Sequence, residues 1–149
     1  MAVLGTFTMD PGARLDFSVR WGAPDWQAST AYAKRDVVRD PADGCYYEAK
    51  VTHTSGASNR AADSAKWDLV EDLWLASGES LSTSTWTITP PGELAEAASS
   101  ISADGQVANV WLESGVAGKT YTIVNKVETD SSPVARKDER TFKVKVKDR

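Results

Sequence analysis

The sequence predicts an all-β protein, and three observations support that prediction. Apolar and polar residues alternate with a period of two in most segments, no sustained helical stripe is present, and turn residues separate the segments at short intervals. Apolar residues make up 41% of the 149 residues and charged residues 26%, so the chain can bury a core. The regular spacing of the segments after Trp74 is typical of a β-sandwich.

Four segments alternate most clearly, and each is predicted to be a half-buried strand. β-branched and aromatic residues prefer such a pleated surface. In chain order, the apolar residues that share a face are Leu15, Phe17, Val19 and Trp21; Trp86 and Ile88; Tyr121, Ile123 and Val127; and Phe142, Val144 and Val146.

Other segments lack this alternation. Residues Ala2 to Arg14 are predicted to form an extended arm that becomes ordered on a neighbouring subunit. The segment from Gly92 to Ser100 is predicted to be a loop that crosses between sheets. Gly118-Lys119-Thr120-Tyr121 fits either a tyrosine corner, in which the hydroxyl bonds to nearby backbone, or a plain core tyrosine.

Composition and charge exclude several classes of protein. The net charge of −4 argues against non-specific attraction to nucleic acid or membranes, although residues 136–149 are locally basic. Cys45 is the only cysteine, which excludes an intrachain disulfide and a cysteine zinc cluster. Because apolar runs are short and no signal sequence is evident, we expect a protein made in the cytoplasm, with no cofactor.

The amino-acid composition changes between Gly22 and Glu71, where small polar residues surround two predicted short strands. The sequence contains Trp26, Tyr32, a turn at Gly44, an aromatic strand, His53-Thr54-Ser55-Gly56 and Trp67 in that order. This order resembles the chitin-binding-type carbohydrate-binding modules of families 5 and 12. The resemblance implies that Trp26, Tyr47 and Trp67 form the framework, and that Tyr32, Tyr46 and His53 are the candidates for sugar stacking.

The flanking segments resemble a phage virion protein with an immunoglobulin-like sandwich. The resemblance rests on the segments Val3 to Thr8, Trp74 to Leu81, Val110 to Gly115, Gly118 to Ile123 and Asp138 to Phe142. We therefore predict an immunoglobulin-like β-sandwich made of residues 1–22 plus 73–149. A small three-stranded module, residues 23–72, is inserted after its first strand, as exposed loop tips tolerate insertion.

No catalytic or metal-binding residues are predicted. His53 is the only histidine, and it fits a loop residue bonded to turn backbone better than a catalytic base, which needs a nucleophile beside it. Asp40-Pro41-Ala42-Asp43-Gly44 fits a hairpin turn better than a calcium loop. Glu93 and Glu96 fit a solvated face rather than a glycosidase pair.

Lys143, Lys145 and Lys147 form a stripe with two interpretations: a face that binds an acidic capsid or tail surface, or protection of a terminal edge strand. Together, the resemblances imply a non-enzymatic structural component of a bacteriophage virion, either a capsid decoration protein or a fibre-tail adaptor. Its expected partners are other virion proteins and further copies of itself, with a host surface glycan as a candidate ligand. The alternative is a soluble polysaccharide- or cell-wall-binding module.

Overall fold

A computed structural model of the chain describes residues 2–148, so Met1 and Arg149, which the predicted sandwich range includes, lie outside the described residues. Strands make up 49% of the structure and helix 5%, which confirms the all-β prediction. The strands are β1 (Ala2–Met9), β2 (Leu15–Arg20), β3 (Ala31–Tyr32), β4 (Val37–Arg39), β5 (Tyr46–Ala49), β6 (His53–Thr54), β7 (Trp67–Val70), β8 (Leu81–Thr89), β9 (Ala95–Ile101), β10 (Val107–Glu113), β11 (Thr120–Thr129) and β12 (Lys137–Val146).

The chain divides into two compact units, and each is described separately. One unit consists of the chain up to Val19 together with the chain from Glu79 onward. The other is Arg20–Gly78, which contains β3 to β7 and a 3-10 helix, Arg60–Lys66. Within residues 2–148, none of the helical segments has the length and apolar character needed to cross a lipid bilayer.

The first unit is a sandwich of two sheets. One sheet has the strand order β1-β12-β11-β8, and the other has the order β2-β10-β9. β11 is antiparallel to both β8 and β12, whereas β1 is parallel to β12. Strands β2, β10 and β9 thus correspond to B, E and D of an immunoglobulin sandwich, and β8, β11 and β12 correspond to C, F and G.

The sandwich core contains most of the residues that alternate in the sequence, although Leu15, at the start of β2, is 38% exposed. Val19 in β2, three residues of β11 and three of β12 are all buried, as their periodicity predicts. Phe142 is the centre of an aromatic group, with Phe17 stacked on it at 5.5 Å and Phe7 meeting it edge-on at 5.7 Å between ring centroids. The buried residues of β11 and β12 are Tyr121, Ile123, Val127, Phe142, Val144 and Val146.

The tyrosine-corner interpretation of Tyr121 is confirmed. The Tyr121 side chain is fully buried, and its hydroxyl accepts a hydrogen bond from the Val116 amide N–H at 3.0 Å. The same hydroxyl donates to the Glu93 carboxylate at 3.1 Å. This residue therefore ties the start of β11 to the loop before it, as in other Greek-key sandwiches.

Two segments differ from their predictions. The prediction of an N-terminal arm is wrong, because Ala2–Met9 is the strand β1; a bulge between Val3 and Thr6, with Gly5 at φ 133°, interrupts its alternation. The prediction of a crossing loop is also wrong, because Ala95–Ile101 is the strand β9. β9 consists mainly of exposed small residues, so it lacks the apolar alternation that identifies a strand.

The second unit contains two small sheets, of order β4-β5-β7 and β3-β6, so a two-stranded sheet accompanies the predicted three strands. The second unit was predicted to follow the first strand of the sandwich. It follows the second strand, β2, because the N-terminal segment is itself the strand β1. The Trp21 carbonyl accepts hydrogen bonds from the Trp74 N–H at 2.9 Å and the Leu75 N–H at 3.1 Å. Trp21 is fully buried, belongs to this unit and packs against Trp74.

Candidate functional site

The aromatic framework residues form the core of the second unit. Val38, Ala49 and Trp67 are buried together, and Trp26, Tyr32 and Tyr47 pack against them. Strand register produces this arrangement, because Ala49 lies opposite Trp67, and Val38 lies opposite Tyr47. A unit this small, without a disulfide, uses its aromatic side chains first for its own stability.

Tyr32 and His53 lie side by side against Trp67. They are paired across β3 and β6, and their ring centroids lie 5.2 Å and 5.0 Å from that of Trp67. The Tyr32 hydroxyl accepts from the Gln27 amide N–H at 2.8 Å. His53 Nδ1 lies 2.9 Å from the Val51 carbonyl oxygen, so Nδ1 carries the proton. Both side chains are half-buried.

Tyr46, the third residue predicted to stack on a sugar, lies in the interior. Its side chain is 4% exposed, and its hydroxyl donates to the Leu75 carbonyl oxygen at 2.5 Å. A sugar cannot reach the face of this ring, so the inclusion of Tyr46 is wrong. Tyr46 and Ala49, at the two ends of β5, are both buried.

An arginine that the sequence analysis overlooked organises the turn between β4 and β5. The Arg60 guanidinium carbon lies 3.4 Å from the centroid of the Tyr47 ring, and its Nε donates to the Asp40 carboxylate at 2.7 Å. The Arg60 side chain is only 8% exposed. Arg60 lies among small polar residues and shows no periodic pattern in the sequence, because its partners lie 13 to 20 residues earlier.

Asp43 and Tyr47 complete this network. The Tyr47 hydroxyl donates to the Asp43 carboxylate at 2.6 Å, and the Cys45 amide N–H donates to it at 2.8 Å. The bond from Tyr47 holds the pKa of Asp43 below its usual value, and it raises the pKa of Tyr47 to about 12. These bonds fix the side chains of the turn, which points to a structural role.

The hairpin-turn prediction for Asp40 to Gly44 is confirmed. The Asp40 carbonyl accepts from the Gly44 N–H at 2.8 Å, and Gly44 has a φ of 76°, which favours glycine. The two aspartates of the turn are engaged by Arg60. Across residues 2–148, no group of three or more His, Cys, Asp or Glu side chains is arranged to hold a metal ion.

The outer face of the four-stranded sheet carries charged residues at both of its ends. At one end, Lys126 lies 3.7 Å from Glu139 and Lys137 lies 3.0 Å from Glu128. These pairs line a shallow groove of about 380 Å³. The bond from Lys137 is the main cause that lowers the pKa of Glu128. Charges at this end of the face are therefore largely compensated within the sheet.

The predicted lysine stripe lies at the other end of the same face. Lys147 lies 3.4 Å from Asp10, whereas Lys143 and Lys145 are exposed and form no ion pair within residues 2–148. β12 has neighbours on both sides, so these lysines do not protect a sheet edge. The edge-protection interpretation is therefore wrong, and a pair of uncompensated positive charges remains on the surface.

Comparison with known proteins assigns the chain to a family. A family model matches residues 60–145, more than half of the chain, and the chain is thereby a bacteriophage structural protein. The description of the model is "Podophage GP4 fiber-tail adaptor protein gp77", and the chain belongs to this family. The chain matched no curated protein and no solved structure.

The family assignment confirms part of the functional prediction. Membership implies a virion location and binding to other virion proteins. Of the two locations that the sequence left open, the description names the junction of fibre and tail. The match begins at Arg60, inside the unit Arg20–Gly78, so the family pattern includes the end of that unit. The chitin-binding-type module stays a prediction.

Proposed function

We propose that this adaptor docks on an acidic surface of a neighbouring tail or fibre protein through Lys143 and Lys145. The observation that carries the proposal is that these two adjacent lysines on one strand face are exposed and uncompensated, while other lysines of the sheet have carboxylate partners. An uncompensated charge pair attracts and orients an oppositely charged partner more than it adds affinity.

The surroundings of the two lysines suit a docking surface. Lys143 lies between Thr6 of β1 and Thr122 of β11, and Lys145 lies between Thr8 and Thr120. The threonine hydroxyls can donate and accept hydrogen bonds, so they suit a carboxylate-rich partner without adding like charge. Because β12 lies in the middle of the sheet, its backbone holds both lysines in fixed positions.

Charge reversal tests the proposal. The double variant Lys143→Glu/Lys145→Glu should be incorporated poorly into particles made by a phage that lacks its own adaptor. Its matched control, Lys126→Glu/Lys137→Glu, changes the net charge equally at the other end of the same face and should be incorporated normally. Raising the salt concentration should weaken wild-type attachment and leave the double variant little changed. Equal incorporation of both variants would contradict the proposal.

A second candidate function is glycan binding by the unit Arg20–Gly78. Its support is the half-buried pair Tyr32 and His53 beside Trp67, since aromatic rings can stack on the apolar face of a sugar. Titration of the full chain with a panel of host surface polysaccharides tests it. A glycan that shifts the NMR signals of Tyr32 and His53 would support this function, and the absence of binding across the panel would remove it.

A further inference from the structure

The four edges of the two sheets of the sandwich differ in how they are protected. Native edge strands usually carry charges, prolines or bulges that prevent pairing with another chain. β1 has a bulge between Val3 and Thr6, β2 contains Asp16 and Arg20, and β9 has a bulge at Ala97 and carries Glu96. Each of these three edges therefore carries a bulge or charged residues that hinder pairing with another chain.

The edge strand β8 is not protected along most of its length. Within residues 2–148 it is the end strand of its sheet, and its sequence contains no charged residue, no proline and no glycine. Its one irregularity is at Ser82; from Thr83 to Thr89 the register with β11 is continuous. Thr83, Thr85, Thr87 and Thr89 are exposed. These seven regular residues can accept another strand.

We propose that β8 pairs with β8 of a second copy of this chain, antiparallel and centred on Trp86. In this register Thr85 faces Thr87 of the second copy, and Thr83 faces its Thr89, so no charged residue opposes another. Trp86 of one copy faces Trp86 of the other. Aromatic pairs and threonine pairs are both favourable between directly opposed positions of neighbouring strands. The register also keeps each residue on its own sheet face, because it pairs odd positions with odd positions.

This pairing joins two four-stranded sheets into one sheet of eight strands. A twofold axis perpendicular to the sheet relates the two copies, so both present the face that carries Lys143 and Lys145 to the same side. Seven paired residues bury much less than the ~1,600 Å² of a standard interface, so the free dimer should be weak. Tethering neighbouring copies on a particle raises their effective concentration and strengthens such a contact. The inference does not rest on the proposed role of the lysines.

Sedimentation equilibrium of the full chain over a range of concentrations tests the pairing. The wild type should show a monomer–dimer equilibrium, and Thr85→Glu/Thr87→Glu should raise the dimer Kd at least tenfold by placing carboxylates opposite each other. The control Thr6→Glu/Thr8→Glu adds the same charges to the edge strand β1 and should leave the Kd unchanged. A wild type that stays monomeric throughout, or a β8 variant that dimerises like wild type, would overturn the inference.

Cysteine cross-linking tests the register. In a Cys45→Ser background, a mixture of Thr85→Cys and Thr87→Cys chains should oxidise to a disulfide-linked heterodimer, because directly paired Cβ atoms lie about 4.5–5.5 Å apart. Each variant alone should cross-link at least tenfold less, since equivalent positions are diagonal and farther apart. Equal cross-linking of the mixture and the single variants would reject the register centred on Trp86.

Discussion

The carbonyl oxygen of Trp21 accepts a hydrogen bond from the amide N–H of Trp74, and the two indole rings meet edge to face at 5.6 Å between centroids. Trp21 lies near the start of the unit Arg20–Gly78, and Trp74 lies near its end. The chain therefore enters and leaves this unit at neighbouring points. A segment whose ends are adjacent can be added to or removed from a sheet protein without changing strand order.

Replacing Ala23–Asp72 with a short Gly-Ser bridge should leave a folded sandwich, because this change retains Trp21 and Trp74. We expect a single cooperative transition in thermal unfolding followed by circular dichroism. Protection from amide exchange in β11 and β12 should persist in the shortened chain. If the shortened chain showed no cooperative transition, the inserted unit would be required for the sandwich to fold.

Trp67→Ala should unfold the unit Arg20–Gly78 while the sandwich stays folded. Trp67 is 4% exposed, and truncating a buried tryptophan costs about 3–5 kcal/mol, comparable to the stability of so small a core. Amide exchange resolved by residue measures the effect, with fast exchange expected in β4, β5 and β7. Leu69→Ala on the same strand is the control, because Leu69 is 53% exposed and its truncation should change little.

Apolar alternation in the sequence predicted the strands that have one buried face. It did not predict the strands or side chains whose burial departs from that pattern. β2, β11 and β12 follow the alternation of Phe17, Ile123 and Val144 and their neighbours, because each has one buried face. β9 is exposed on almost every residue, so nothing apolar marks it. Tyr46 was misplaced because it is buried in the interior, where its hydroxyl bonds Leu75, 29 residues away. Local periodicity carries no information on such a contact.

The bond between Tyr47 and Asp43 should give the second unit a measurable pH dependence. The pKa of Asp43 is lowered from 3.8, so its contribution to stability is complete above pH 3.8 and is lost as the pH falls through the folded-state value. The pKa of Tyr47 is raised from 10.0 to about 12, so its contribution is lost as the pH rises through about 12. Tyr47→Phe should raise the pKa of Asp43 toward 3.8 in a carbon-detected NMR titration.

Ultraviolet absorbance provides a second measurement of the same bond. Tyr47 should contribute an ionisation later than that of an unperturbed tyrosine, near pH 12. The absorbance change near pH 12 should be smaller in Tyr47→Phe than in the control Tyr32→Phe. An unchanged Asp43 pKa in Tyr47→Phe would show that the bond does not persist in solution.

Tyr121→Phe should destabilise the sandwich by about 1–3 kcal/mol, because the Val116 N–H and the Glu93 carboxylate lose the hydroxyl that they share. Urea denaturation monitored by β11 signals measures the change. Tyr46→Phe is the control: it removes a buried hydroxyl from the other unit, where it bonds Leu75. Each variant should affect amide exchange only in its own unit, and the reverse pattern would contradict this assignment.

Deleting Ala2–Met9 should lower the stability of the isolated chain. These residues form β1, which pairs with β12, and Met9 is buried in the sandwich core. A free arm would leave the melting temperature unchanged on removal, whereas loss of a paired strand should lower it by several degrees or more. Thermal unfolding of the truncated and full chains distinguishes these outcomes, with Thr6→Ala, at an exposed position, as a mild control.

The parallel pairing of β1 with β12 has a mechanical consequence for a protein that connects a fibre to a tail. Ala2 lies beside Arg140 and Met9 lies beside Val146, so tension between the start of β1 and the end of β12 pulls the two strands in opposite directions along their length. The inter-strand hydrogen bonds then bear the load together instead of opening one at a time. Stretching single molecules from these two points should therefore require a larger force than stretching between the paired residues Ala95 and Glu113, where the hydrogen bonds of the antiparallel strands β9 and β10 open one at a time.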